Sequence, residues 1–194
     1  MHDRLLKLVQ QQFALEIHPV RSPLVVAPPL EIPPRVKEYW EYLIQNVTPT
    51  SNESTRRWIV GQLLLHLAGT LQLRLFIGGP FEVDPTCGLV GQCDYLVSRS
   101  PLNFRIHPPV SLIVEVKREI KHGLPHCLVE MAAAQLFNAS PEPIYGVSTT
   151  GLQWQFLKLE GKVVSLEQKV YPIEELDTIT SILAAMMGTP LPFD

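Results

Sequence analysis

Two charged residues close the run Leu112-Ile113-Val114-Glu115-Val116-Lys117, in which four of six residues are apolar and three are β-branched. Such a run reads as a strand covered on both faces. Side chains two apart on a strand point the same way. Glu115 and Lys117 are therefore expected side by side on one face, with Leu112, Val114 and Val116 on the other. Burying a charge costs several kcal/mol unless it is paired or holds an ion. A second apolar run, Leu89 to Val97, carries Asp94, and aspartate is depleted inside strands. Asp94, Glu115 and Lys117 together bear a net charge of -1, which a bound cation balances better than Lys117 alone.

Glu53 is a fourth candidate. A helix is expected from Thr50 to Ala68, stopped by Gly69 at its C′ position. At about 100° per residue Glu53 lines up with Val60, Leu64 and Leu67, the stripe that should face the core. Thr50 and Glu53 also fit a capping box, so the carboxylate either reaches a site on the sheet or caps its own helix.

The triplet Glu-x-Lys recurs as Glu160-Gly161-Lys162, a glycine turn, and as Glu167-Gln168-Lys169, in an amphipathic strand expected at a sheet edge. Glu115-Val116-Lys117 alone lies on a nearly continuous apolar strand with an acidic residue in the strand before it. A charged connector, 118 to 123, leads from it to a helix from Leu124 to Asn138 with Pro125 near its first turn. His126 and Glu130, four apart on that helix, share a face. They either reach the site or form an exposed or capping pair.

The remaining elements position these residues. Leu5, Leu8, Val9, Gln12 and Phe13 have helical spacing, and six prolines between Pro19 and Pro34 read as an extended connector. A helix opens at Pro34, with Val36, Trp40, Leu43 and Ile44 on its apolar side and Pro49 beyond its end. Residues 71 to 83 form an apolar stretch bent at Gly78-Gly79-Pro80, and the turn signal Asp84-Pro85 precedes the strand that holds Asp94. Strands are expected over 143–148, 152–159 and 163–170, and a last helix over 173–187. A crossover through the helix at 124–138 places the 143–148 strand parallel to 112–117. The expected organisation is a helical and Pro-rich extension, 1–49, before an α/β domain, 50–194.

With Asp94 on one strand, Glu115-Val116-Lys117 on the next and Glu53 on the helix before them, the chain resembles the PD-(D/E)XK phosphodiesterase superfamily over roughly residues 50–159. The Ala-rich helix followed by YGVSTTGLQWQF is similar to uncharacterised bacterial families of that fold. The resemblance implies a restriction endonuclease-like α-β-β-β-α-β core, a mixed sheet flanked by helices, and a metal-dependent nuclease acting on DNA. It assigns Asp94, Glu115 and the Val116 backbone carbonyl to Mg²⁺ or Mn²⁺, Lys117 to the attacking water and the developing charge, and Glu53 to a further metal or water contact. His126 and Glu130 become candidates for substrate binding. Cys93 stands where the name-giving proline would be, and Gln135 lies about three turns into its helix, further in than the glutamine of several nuclease branches. The other reading of the same residues is a non-catalytic nucleic-acid-binding or assembly module. Relatives of this fold often pair to cut two strands, and the N-terminal helices are available for such a homodimer; the sequence leaves the oligomeric state open.

Composition narrows the classes. With 46% hydrophobic and 18% charged residues the chain reads as globular, and no apolar run reaches the roughly 20 residues of a membrane span. Residues 1–13 lack the pattern of a secretory signal, so the expected location is the cytoplasm. Three cysteines, Cys87, Cys93 and Cys127, with no C-x-x-C pair, suit reduced thiols; a zinc site joining them to His122 is not expected. A net charge of -3 leaves no broad electrostatic capture of nucleic acid. The chain has no phosphate loop of the G-x-x-x-x-G-K-[ST] type and no G-x-G-x-x-G.

Overall fold

The computed structural model describes every residue except Met1, Pro49, Pro85, Cys87, Gly88, Leu102, Asn103, Pro190 and residues 192–194. Helix α1 (His2–Phe13) leads into β1 (Glu16–Val20), and α2 (Pro34–Ile44) and α3 (Glu53–Thr70) follow. Strands β2 (Arg74–Ile77), β3 (Pro80–Asp84), β4 (Leu89–Gln92), β5 (Tyr95–Ser98) and β6 (Val110–Val116) precede α4 (Ile120–Asn138). The chain ends with β7 (Ile144–Thr149), β8 (Gln153–Glu160), β9 (Val163–Glu167), the short β10 (Tyr171–Pro172), a 3-10 turn and α5 (Leu176–Met187).

The main sheet runs β1-β9-β8-β7-β6-β5-β2, with β10 also on β8, while β3 and β4 form a separate hairpin. It is mixed: β6 with β7 and β1 with β9 are parallel, and the other pairs are antiparallel. Helices flank both faces. All seven residues of β6 are buried, and their alternation divides them between two apolar layers. Leu112, Val114 and Val116 pack with Trp40 of α2, Ile59, Leu64 and Leu67 of α3 and Leu183 of α5. Ile113 packs on the opposite side with Val9 of α1 and Leu128 and Met131 of α4. Glu115 has the parity of Ile113, so it opens toward α4.

Several boundaries differ from the sequence reading for identifiable reasons. The stretch 89–97 is two strands, because the chain leaves the β3–β4 hairpin and enters the main sheet at Cys93-Asp94. Asp94 therefore sits at a strand break, not in a strand interior. The bent stretch 71–83 is likewise divided between β2 and β3 at Gly78-Gly79. The proline connector begins inside a strand: Pro19 belongs to β1, which pairs with β9 from the sheet edge, where a missing N–H is tolerated. For that reason β9 is not an edge strand and Glu167 is buried.

At α3 the cap is Asn52, whose Oδ1 accepts the Thr55 N–H at 2.8 Å. The Thr50–Glu53 capping box does not form, and Gly69 lies inside the last turn. Helix α4 starts at Ile120, which leaves Lys117, Arg118 and Glu119 as the whole connector and puts Pro125 in the interior. Pro49, Pro85 and Cys87 lie outside the described residues. No helix among the described residues is long and apolar enough to cross a membrane.

The close packing of α4 on β7 depends on Gly146. A Cβ there would lie 2.3 Å from Met131 Sδ and 2.8 Å from Cys127 Sγ, and both side chains are fully enclosed. Gly146→Val should cost about 1–3 kcal/mol by overpacking, read as a lower urea midpoint at unchanged slope. An unchanged midpoint would show that Met131 has room to swing away.

Candidate active site

The site forms where β4 gives way to β5 and where β6 ends. Asp94 directly precedes β5, and its side chain turns toward β6. Its Oδ2 accepts the Val116 N–H at 2.8 Å, while its backbone carbonyl accepts the Gly78 N–H at 3.0 Å. A strand residue presents its N–H and C=O to the same neighbour, so the Val116 carbonyl faces the Asp94 side as well. Lys117 is the first residue past β6, held there by its own N–H on Thr149 O at 3.0 Å. Its Nζ lies 2.6 Å from Glu115 Oε1 and 3.9 Å from Asp94 Oδ2.

Asp94 is 8% and Glu115 3% exposed, so both carboxylates stand largely out of water. Arg57 Nε reaches Asp94 Oδ1 at 2.8 Å, an ion pair whose N–H is misaligned for a hydrogen bond. Glu115 Oε2 is buried and meets no donor. Burial first, then the Asp94 charge, push the Glu115 carboxyl from its usual 4.5 up to about 7, against the opposing pull of Lys117. Two buried carboxylates this close need a proton or a cation between them. Burial by itself would depress Lys117, but the hydrogen bond and charge of Glu115, with Asp94 and Glu53 beyond, hold its ammonium above the usual range.

Glu53 stands one step further out. It is the first residue of α3, about 40% exposed at its side chain, and lies 3.5 Å from Arg57 Nη2. It meets the Asp94 cluster through Arg57 and does not itself line the cavity. His126 and Glu130 both line the cavity of about 260 Å³ that contains Asp94, Glu115, Lys117 and Arg57. Burial, then the nearby Lys117, lower the His126 pKa and favour its neutral ring. Glu130 is raised well above the carboxylate range by burial, with Glu115 and Asp94 adding to it. Its Oε2 is buried without a partner, and Cys93 hydrogen-bonds to its carboxyl.

No family model matches this chain, and no curated protein is significantly similar to it. What the cluster can do is therefore read from its own chemistry.

Arg57 and Tyr95 belong to the site although the sequence did not single them out. Arg57 is four residues after Glu53 on one helix, a spacing that puts both on one face. Tyr95 donates its hydroxyl to the Arg57 carbonyl. A Cβ on Gly61 would come within 2.9 Å of that hydroxyl, so glycine there lets the ring lie against α3 beside Asp94. Gln135 is remote: with its amide turned to satisfy both groups, it bonds the N–H and C=O of Gly161, each at 2.9 Å, in the β8–β9 turn. Cys93 and Cys127 are buried, free thiols held up by that burial. Among the described residues, no three or more His, Cys, Asp or Glu side chains are arranged to hold a metal by themselves. The available donors are two carboxylates and a backbone carbonyl.

Proposed function

We propose that this chain is a metal-dependent phosphodiesterase that cuts nucleic acid, DNA foremost, using Asp94, Glu115 and Lys117 on a restriction endonuclease-like core. The observation that carries the reading is an unmatched buried carboxylate oxygen at the end of β6. Glu115 Oε2 is buried with no donor beside a second buried carboxylate, although Lys117 and Arg57 already stand against the pair. The order α3, β2, β5, β6, α4, β7, with β6 and β7 parallel, supports the α-β-β-β-α-β reading; the β3–β4 hairpin is then an insertion.

A hard divalent ion fits these donors. Asp94 and Glu115 offer oxygen, Oε2 is unengaged, and the Val116 carbonyl faces the Asp94 side. Mg²⁺ and Mn²⁺ accept so few protein ligands because they retain water. A bound ion supplies Lewis acidity for the phosphodiester and a coordinated water of lowered pKa. Lys117 remains an ammonium, so it cannot take a proton from water. It donates hydrogen bonds to the incoming water and offsets charge developing on phosphate oxygens. Arg57 keeps Asp94 turned inward, and Glu53 keeps Arg57 in place.

The test is cleavage of plasmid, linear and single-stranded DNA with Mg²⁺ or Mn²⁺. Lys117→Met should slow it about 10²–10³-fold, the scale of losing one preorganised electrostatic donor. Absence of cleavage, or a rate unchanged in the variant, removes the reading.

One observation favours a second reading, a non-catalytic nucleic-acid-binding or assembly module. Arg57 and Lys117 already pair with Asp94 and Glu115, a cluster that can persist as structure alone. Calorimetry with Mg²⁺ separates the two, since the module binds no ion at this site.

A further inference from the structure

Beneath the β3–β4 hairpin a second cavity, of about 220 Å³, adjoins the site. Its walls are apolar: Leu5 and Val9 from α1, Phe81 and Leu89 from the hairpin, Val129 and Ala133 from α4. Gln92, Cys93, His126 and Glu130 line both this cavity and the one containing Asp94, Glu115 and Lys117. They form a polar neck between the two. The volume is several times the ~30 Å³ share of a water molecule, and unfilled apolar walls forfeit dispersion contacts. At the neck, Glu130 Oε2 is shut off from solvent and meets no donor.

Walls and neck ask for one kind of occupant, with apolar faces and an N–H edge. An aliphatic group would fill the walls and leave Glu130 unmatched. An anion would find no Lys or Arg in these walls, and a bare cation would gain nothing from them. A nucleobase satisfies both demands, stacking on Phe81 and the aliphatic side chains while its amine or imide edge meets Glu130 and Gln92.

The geometry points to a nucleobase pocket: the cavity between α1, α4 and the β3–β4 hairpin takes one base of the nucleic acid whose phosphodiester lies at Asp94, Glu115 and Lys117. The placement of the phosphate rests on the phosphodiesterase reading; the pocket itself does not require turnover. A base inside a duplex cannot enter a cavity walled on three sides, so the substrate is single-stranded, frayed or flipped at that nucleotide.

The full chain in excess Mg²⁺ is titrated with the four deoxynucleoside 5′-monophosphates, which hold no phosphodiester to cleave, and with 2-deoxyribose 5-phosphate, following methyl resonances by NMR. At least one monophosphate should bind about 5–150-fold more tightly than the sugar phosphate, the scale of stacking one base, and should shift the methyls of Leu5, Val9, Val129 and Ala133. Gly91 shares a strand face with Leu89, lines the cavity, and has open space where a Cβ would go. Gly91→Phe should therefore start without a clash at its Cβ, occupy the pocket and erase the base-dependent advantage while leaving sugar phosphate binding intact. Val129→Trp carries the same expectation from the opposite wall should the first variant not fold. Lys117→Met should weaken both ligand types alike. If it changes neither while the base advantage persists, the pocket stands and the phosphodiesterase reading fails. Equal affinity for monophosphates and sugar phosphate, or an advantage that survives both fillings, overturns the pocket.

Discussion

Glu115→Gln should make the metal-free protein more stable above neutral pH and, on the phosphodiesterase reading, slow Mg²⁺-dependent cleavage of DNA. Glu115 rises from its usual 4.5 to about 7 in the folded protein, because burial and the neighbouring Asp94 disfavour its charged form. Between these values the folded state holds a proton that the unfolded chain has released. The stability contributed by this group is fully present below about pH 4.5 and is lost as pH rises through about 7. For a group this enclosed the loss is on the order of 1–3 kcal/mol. Gln keeps the shape and carries no charge, so the loss disappears, while Lys117 retains Asp94 at 3.9 Å. Urea unfolding of both proteins from pH 5 to pH 8 should show a gap in favour of Glu115→Gln that widens with pH. Excess Mg²⁺ at pH 8 should stabilise the wild type by mass action and leave the variant unmoved. On the phosphodiesterase reading, cleavage should fall about 10³-fold or more, since the charge that would hold the ion is lost. Parallel pH profiles for the two proteins would remove this account of the site.

The centre of that site was legible because its residues contradict their surroundings. An acid and an ammonium at the end of a strand as apolar as Leu112 to Lys117 demand an explanation from sequence alone, and the parity that sets Glu115 with Lys117 against Val114 and Val116 follows from strand geometry. The position of Asp94 was less legible. Residues 89–97 carry no proline or charge cluster at Cys93-Asp94 to announce a break; the division arises because β4 pairs with β3 and β5 pairs with β2 and β6, a choice made by tertiary partners. Arg57 was invisible for another reason. An arginine on the first turns of a helix resembles any solvated residue until the fold sets Asp94 opposite it. Its spacing from Glu53 was the one available signal, and it was masked by the capping alternative that Asn52 in fact fulfils.

Elements with strong periodicity or sharp punctuation were readable, and those held by remote pairing were not. Helix α2 starts at its proline, and β6 and β7 pair in parallel across a helix as expected of two buried strands joined by a crossover. Strand β1 carries Pro19 and reads as connector; only the parallel partner β9, far along the chain, turns it into sheet. The start of α4 at Ile120 was hidden by the charges of residues 118–121, which suit an exposed first turn as well as a loop.

Arg56→Met should cost about 3–5 kcal/mol, the scale of stripping a buried charged donor from several acceptors. Arg56 is 2% exposed and spends its guanidinium on main-chain carbonyls: Nη1 on Thr150 at 2.6 Å, Nη2 on Thr48 at 2.9 Å and Nε on Ser51 at 3.1 Å. Thr48 and Ser51 belong to the α2–α3 connector, and Thr150 follows β7. One side chain thus clamps the start of α3 to the end of the central sheet, one residue from the Thr149 carbonyl that holds the Lys117 N–H. Methionine fills similar space but leaves the three carbonyls without this donor. Lysine, with a compact ammonium in place of a fork, should recover only a fraction of the loss. Because Arg57 is the next residue on the same turn, loosening this clamp should also weaken its hold on Asp94, and on the phosphodiesterase reading cleavage should fall further than the loss of folded protein explains. Urea midpoints for the wild type, Arg56→Lys and Arg56→Met should fall in that order. A Met variant within about 1 kcal/mol of the wild type, well inside the cost of an unsatisfied buried acceptor, would show that α3 is held against the sheet by its apolar face alone.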